Sequence, residues 1–509
     1  LVVAPSSGDA ARGAVRRRRC GMDRDDERRA LTRRELLRLA GAGATTALLG
    51  CGDDDTSADA SLGDGGEDAG LSGGGANDAS TDDAGTDAGE RPAGDPESLV
   101  ESDAFGLGVA SGDVRADGAV LWTRYDGSDA LHVRVWRMEG ETYAALVHEA
   151  DVTPADGGFV HVDVPLPQAG ARYRYAFVEG EGDATQRSPI GRLRAAFEAT
   201  TLAPLVIGAV SCTRNGRSFG TLERAGMRDD FDTFLLLGDT TYADGAVSLA
   251  DYRGKWAENL ATPGYRALRA ATSVYASWDD HEIDNNWDPE TIAPAQFRAA
   301  LDAFFEHTPA RRLSESPDRI WRSARWGQTL ELFVLDCRSE RRPSTRRTDD
   351  ATYVSAEQLA WLQRGLSEST AVFKVVMNSV GISDFPLLLD AGSNDRWEGY
   401  PAQREALLRF LDEANVPGLL WIAGDFHFAC LGHVGRDEAA LGWNQWEVLV
   451  GPGAQVGNPL SSSCRPPQFP FATRENNYTD LAFDPASGEV TIRWIDADGA
   501  AFATQTIRP

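Results

Sequence analysis

From Leu205 onward the chain carries continuous apolar runs, each closed by polar residues. They span 205–212 (LVIGAVSC), 231–239 (FDTFLLLGD), 272–280 (TSVYASWDD), 329–336 (TLELFVLD), 371–379 (AVFKVVMNS), 418–425 (GLLWIAGD) and 446–453 (WEVLVGPG). Unbroken runs of this length predict strands buried on both faces. Helical patterns fall between them, notably 355–366, with Trp361 and Leu362 on its apolar side, and 402–413. The alternation predicts an α/β catalytic domain over 201–509. Segments 480–483 and 489–495, joined by DPASG, predict a hairpin.

Residues 100–200 follow another rule. Apolar and polar positions alternate in 118–123 (GAVLWT), 131–137 (LHVRVWR), 158–164 (GFVHVDV) and 172–179 (RYRYAFVE), with Pro, Gly and Asp between. A period of two predicts antiparallel strands and a small all-β sandwich domain. His132, His148 and His161 lie here without ligand spacing to another His, Cys or Asp. They are expected to be surface or packed residues, and His307 and His433 to be structural.

The first hundred residues carry neither pattern. Met22 is the expected start, with 1–21 read as translated upstream sequence. Arg33-Arg34, then Leu36, Leu37 and a small-residue apolar stretch over 39–50, resembles a twin-arginine export signal over 22–51. The stretch is shorter than the ~20 residues a membrane-spanning helix needs. Its end, LLGC, resembles a lipobox, which makes Cys51 the lipidation site. Residues 52–99 hold almost no large apolar side chain and predict a flexible acidic linker. The protein is therefore expected outside the cytoplasm, periplasmic or at the cell surface, anchored by lipid and met by the twin-arginine machinery.

Charge changes this picture little. The formal net charge is −28, but 52–90 alone has 12 acidic residues and no Lys or Arg. Binding nucleic acid without sequence preference needs positive charge to displace counterions, so the balance argues against that class, and no sequence-specific nucleic-acid partner is expected. A small anionic substrate is not excluded, because bound cations reverse the local field. The six cysteines form no disulfide framework; Cys337–Cys464 and Cys430–Cys464 pairings both stay open.

The residues closing the runs carry the chemistry. Cys212 ends the first, in SCTR. Asp239 ends the second, in GDTTY, with Tyr242 just beyond. Asp280 and His281 end the third, in WDDHEIDNNW, and Asp425 and His427 the sixth, in GDFH. Strand C-termini are where open α/β sheets hold ligands. In-line attack on a phosphoester builds charge on the entering and leaving oxygens, which paired metals can neutralise while activating water. Asp239, with two acceptor oxygens, suits a bridge. The Cys212 thiolate and Tyr242 phenolate favour trivalent iron, whereas Asp280 and Asp425 suit calcium, magnesium or manganese. Arg214 is a candidate phosphate clamp, since a guanidinium fork matches phosphate. Arg253 and Lys255 are weaker candidates for substrate binding, and 340–347 is a basic loop. No nucleophile motif is present; Thr240 and Thr241 simply carry the turn to Tyr242.

With FGLGVASGDVRADGAVLWTR (105–124), SCTR, GDTTYADG, ATSVYASWDDHEIDNNW and IAGDFH, the chain resembles the PhoD-like phosphodiesterase/alkaline phosphatase family of calcineurin-like metallophosphoesterases, over about 103–500. The resemblance implies a four-layered α/β/β/α catalytic domain and a cluster of one Fe(III) and two Ca(II). It implies iron ligation by Cys212, Asp239 and Tyr242, with His427 at the imidazole position and Asp425 on a second metal. Asp280 takes the ligand position beside His281, which would protonate the leaving oxygen or stabilise the transition state. Asp279 is expected to orient His281 from behind. A further ligand is expected from Asp284 or Asn285, and Asn378 or Ser379 stands where the wider superfamily has a ligand His. The implied activity is hydrolysis of phosphate monoesters or diesters by a monomer. The alternatives are a diesterase specific for lipid or nucleotide diesters and an inactive surface or adhesion protein.

Overall fold

Side chains on the catalytic strands point alternately into different cores. In the computed structural model, which describes residues 95–386 and 395–509, Leu235 and Leu237 of strand Thr233–Leu237 enter one apolar cluster and Phe234 and Leu236 a second. In strand Leu419–Ala423, Leu420 and Ile422 join the first cluster, Leu419 and Trp421 a third. A strand with two buried faces must be apolar throughout, which explains the continuous runs.

These strands form two seven-stranded sheets. The first runs Val274–Ser277, Thr233–Leu237, Leu205–Thr213, Tyr478–Asp484, Glu489–Ile495, Ala501–Ile507, with Pro452–Ala454 also pairing to Leu205–Thr213. The second runs Arg322–Trp326, Leu330–Val334, Phe373–Met377, Leu419–Ala423, Trp446–Leu449, Ala429–His433, Phe471–Thr473. The first cluster joins side chains of both sheets. The second sets the first sheet against helices Gly220–Gly226, Leu249–Leu260, Pro263–Ala271 and Pro294–His307. The third sets the second sheet against Ala356–Glu368 and Pro401–Ala414. The helices begin where local chemistry allows. Ser355 accepts from the Gln358 N–H, Ser248 and Asp251 form a capping box, and Pro263, Pro294 and Pro401 open their helices.

The N-terminal strands form a six-stranded sheet and a three-stranded sheet, Val109–Gly112, Gly118–Arg124 and Phe159–Pro165. Val133, Tyr175 and Leu121 from these sheets belong to the cluster that also fills the space between the catalytic sheets. The described residues fall within one compact unit. The sheets change at the boundary expected near residue 200, and the first cluster runs across it. Arg253 helps to fasten it, with Nη2 2.6 Å from Glu306 and 2.9 Å from Asp156.

Several expectations are amended. The C-terminal hairpin gains a third strand, Ala501–Ile507, and the sheet edge Arg322–Trp326 had no sequence signal. The expected linker ends early: Asp95 and Pro96 are buried, and Glu97 accepts from Tyr143 and Arg174. Cys337, Cys430 and Cys464 are free thiols, so neither disulfide is formed. The Cys337 Sγ instead donates to Asn378 Oδ1 at 2.7 Å. His161, His307 and His433 are held by the carbonyls of Thr308, Ala303 and Trp443. The expected signal, Arg33-Arg34 and Cys51 lie outside the described residues. Among the described residues no helix is long and apolar enough to cross a membrane.

Candidate metal centre

The motif residues converge because parallel strands of both sheets deliver their C-terminal ends to one place. Gly238, at φ +89°, lets two of these ends touch, since an added Cβ would lie 2.4 Å from Asp279 Cβ. At Gly424 an added Cβ would lie 2.6 Å from Ser211 Cβ. The residues around these glycines turn sharply out of their strands. Cys212, Asp239, Asp425 and His427 all have positive φ, at 54°, 52°, 73° and 55°. A non-glycine residue held there costs about 1–3 kcal/mol, and such strain gathers at functional sites.

Three groups of ligand atoms result, each with its members within 4.8 Å of one another: Cys212, Asp239 and His427; Asp239, Asp280 and His281; Asp279, Asp280 and Asp425. Asp239 and Asp280 are each shared by two groups, so the three form one chain. Tyr242 joins at the first group, its hydroxyl 3.2 Å from Asp239 Oδ2 and 3.4 Å from His427 Nε2.

The electrostatics fit bound cations. Burial, then the surrounding carboxylates, pushes Asp239 and Asp425 well above the usual carboxylate range. Burial raises Asp279 to about 6. Burial and the Asp239 charge lift the Cys212 thiol well above its usual value. Burial and His281 press His427 down to about 4, which keeps its imidazole neutral and able to ligate. Among the described residues, Asp280 Oδ1, Asp279 Oδ2 and His281 Nε2 are buried with no hydrogen-bond partner. Buried acids packed this closely can ionise together only beside positive charge.

Part of that charge comes from Arg338, which sequence reasoning missed. It is fully buried. Its Nε donates to Asp279, Nη1 reaches Asp395 at 2.7 Å, and Nη2 lies 3.6 Å from Asp280 and 3.5 Å from Asp425. It follows the fourth apolar run as the other site residues follow theirs, and that position was the available signal. Arg338 and the His281 charge outweigh burial at Asp280 and hold it down to about 2.

Asp279 therefore does not orient His281. It is engaged by Arg338, and Asp244 takes the expected role, with both carboxylate oxygens 2.8 Å from His281 Nδ1. Burial lowers the His281 pKa, but Asp239, Asp280 and Asp244 together raise it to about 10. Glu282, also missed, accepts the backbone N–H groups of Asp239, Thr240 and Asp279 at 3.1, 2.5 and 2.8 Å. It ties the second and third strand ends together.

The remaining candidates separate. Arg214 lies over the Tyr242 ring at 5.6 Å, and both line a cavity of about 520 Å³ with Asp244 and Lys255. Arg253 does not line it, because Glu306 and Asp156 hold its guanidinium. Asp284 stands outside the three groups, its Oδ1 accepting from Gly245 N, and Asn285 Oδ1 accepts from Asn286. Asn378 follows strand Phe373–Met377. Its Oδ1 accepts from Cys337 and from Trp397 Nε1, and an indole N–H can only donate, so the amide oxygen is committed there.

Asp244→Asn offers a direct check on the His281 pair. It should lower turnover about 10- to 100-fold, the range for lost outer partners of site histidines. Metal content should stay unchanged and the acidic or basic limb of the pH–rate profile should move. An unmoved profile would mean that Asp244 only packs.

Comparison with known proteins agrees with this geometry. Residues 206–487 match the family model described as PhoD-like phosphatase, and 91–197 match its N-terminal domain. Alkaline phosphatase D of Bacillus subtilis (strain 168) is 27% identical over 378 residues, which span 64% of each chain. A solved structure of PhoD superposes with a TM-score of 0.69 at 23% identity, covering 80% of this chain and 89% of that one. Purple acid phosphatase PPD1 from yellow lupin (Lupinus luteus) superposes with a TM-score of 0.57 at 15% identity, covering 79% and 73%. Those two are likenesses of fold; the family-model match spans more than half of the sequence, and by it the chain belongs to the PhoD-like phosphatase family.

Proposed function

We propose that this protein hydrolyses phosphate esters with the help of metal ions held at the linked ligand groups. The observation that carries the reading is the sharing of Asp239 and Asp280 between adjacent groups, which suits neighbouring cations. Cys212, Asp239, Tyr242 and His427 would hold Fe(III), for which thiolate and phenolate are suited donors. Asp239, Asp280 and Asp425 would hold Ca(II). When bound, such ions polarise the phosphoryl oxygens and lower the pKa of an attacking water. The three apolar clusters support an α/β/β/α order for the catalytic layers and a sandwich for the N-terminal sheets.

The chain's own side chains have separable tasks. His281, fixed through Nδ1 by Asp244, would present Nε2 to the leaving oxygen and give it a proton. Arg214 would grip a non-bridging oxygen. Among the described residues the neighbouring cavity is lined by Asn215, Thr241, Lys255 and Glu258 and by no aliphatic side chain. That polar lining suits a hydrophilic leaving group.

A phenolate on Fe(III) absorbs visible light. Purified protein should hold about one iron with calcium or a similar hard divalent ion, and should be coloured. Tyr242→Phe should abolish the band with the fold retained by circular dichroism. Zinc alone, without visible absorption, would sink the assignment.

The N-terminal signal supports export and lipid anchoring through Cys51. Lys-Lys in place of Arg33-Arg34 should retain the enzyme in the cytoplasm. Normal export of that variant on fractionation would contradict the twin-arginine reading.

A further inference from the structure

Strand Arg322–Trp326 is the outer edge of the second sheet, and a cleft of about 620 Å³ lies beside it. The cleft shares no lining residue with the cavity beside Tyr242. In a chain of formal charge −28 it is lined by six arginines against Asp113 and Glu357. Four of the six are committed: Arg115 and Arg311 pair with Asp163, Arg322 with Asp113, and Arg325 with Glu331.

Arg319 and Arg364 differ. Among the described residues, neither has a carboxylate within ion-pair distance. The Arg319 guanidinium lies 4.6 Å over the Trp321 ring, and its buried Nε has no acceptor. Arg364 is exposed and follows Trp361 by three residues on helix Ala356–Glu368. The Trp321 and Trp361 rings pack at 4.8 Å. Two uncommitted guanidinium groups thus flank one aromatic pair in the wall of the same cleft.

A buried donor without an acceptor is destabilising until something accepts from it. Guanidinium forks match phosphate oxygens in pairs. The volume is in the range of small-molecule sites and leaves room for much more than one phosphate ion. We propose that this edge cleft is a second anion site, which binds a ligand carrying two or more linked phosphate groups through Arg319 and Arg364. The assignment uses no residue of the metal centre, so it stands or falls independently of the reaction proposed above.

Methylenebisphosphonate, which has no P–O–P bridge to hydrolyse, is the probe. It is titrated calorimetrically into the full metal-loaded chain, with metal content checked afterwards. Wild type should bind it at two classes of site, one of them at the metal centre. R319Q/R364Q should keep only that one, with turnover of nitrophenyl phosphate unchanged. Arg364→Glu alters one exposed side chain and should not disturb folding. It should weaken the second class about 10-fold or more, as expected for losing a charged hydrogen-bonding partner. Identical stoichiometry and affinity in wild type and Arg364→Glu would overturn the site. Equal affinity for inorganic phosphate would overturn the requirement for linked phosphates.

Discussion

Replacing His281 by alanine should slow hydrolysis of esters with poor leaving groups by about 10²–10⁴, the usual worth of a positioned general acid. The loss should be much smaller with a nitrophenyl ester, whose leaving group departs without a proton. The expectation rests on position. His281 is only 1% exposed, Asp244 clamps its Nδ1, and its Nε2 has no hydrogen-bond partner. The Tyr242 ring lies 4.1 Å from the imidazole, centroid to centroid, and limits its rotation. The check is leaving-group dependence of turnover in the variant, with metal content shown to be unchanged. An equal loss across good and poor leaving groups would remove His281 from the acid role.

Asp239→Asn should act differently, lowering both metal occupancy and rate. Asp239 belongs to two ligand groups, and an amide keeps one acceptor oxygen but loses the charge. Because the residue would touch the metals directly, turnover should fall by more than the ~100-fold typical of outer partners. Elemental analysis beside turnover separates this from the His281 variant: metal is lost in one and kept in the other. Full occupancy in Asp239→Asn would refute its bridging role. The substitution should not unfold the protein. It also removes a buried charge that the metal-free chain holds at a cost, and Glu282 fixes the loop through backbone groups.

What the sequence made legible follows from which signals are local. Burial on both faces forces an unbroken apolar run, so seven of the catalytic strands stand out in the order of residues alone. Their polar ends then pointed to Cys212, Asp239, Asp280, Asp425 and His427, which do meet. Contacts between distant loops were not visible. Asp279 lies two residues from His281, yet successive loop residues can diverge. Asp244 arrives from another strand end, and Asp279 turns to Arg338. Arg338 lies just before the basic loop 340–347, and nothing local marks it as the partner of buried carboxylates. Arg253 read as a substrate cation because its partners Glu306 and Asp156 are 53 and 97 residues away. The Asn378 amide looked available until Cys337 and Trp397 filled its oxygen. The edge strand Arg322–Trp326, with only Trp326 buried, lacks the apolar run that marks a central strand.

The central claim is that ester hydrolysis depends on metals held by the Cys212–Asp239–Asp280–Asp425 chain of ligands. Its most direct test is hydrolysis of a nitrophenyl phosphate by purified protein, before and after chelation, with iron and calcium measured in the same samples. Activity should disappear as the metals are removed and return when iron and calcium are restored. Full activity in protein shown to contain neither, nor any other metal, would contradict the claim.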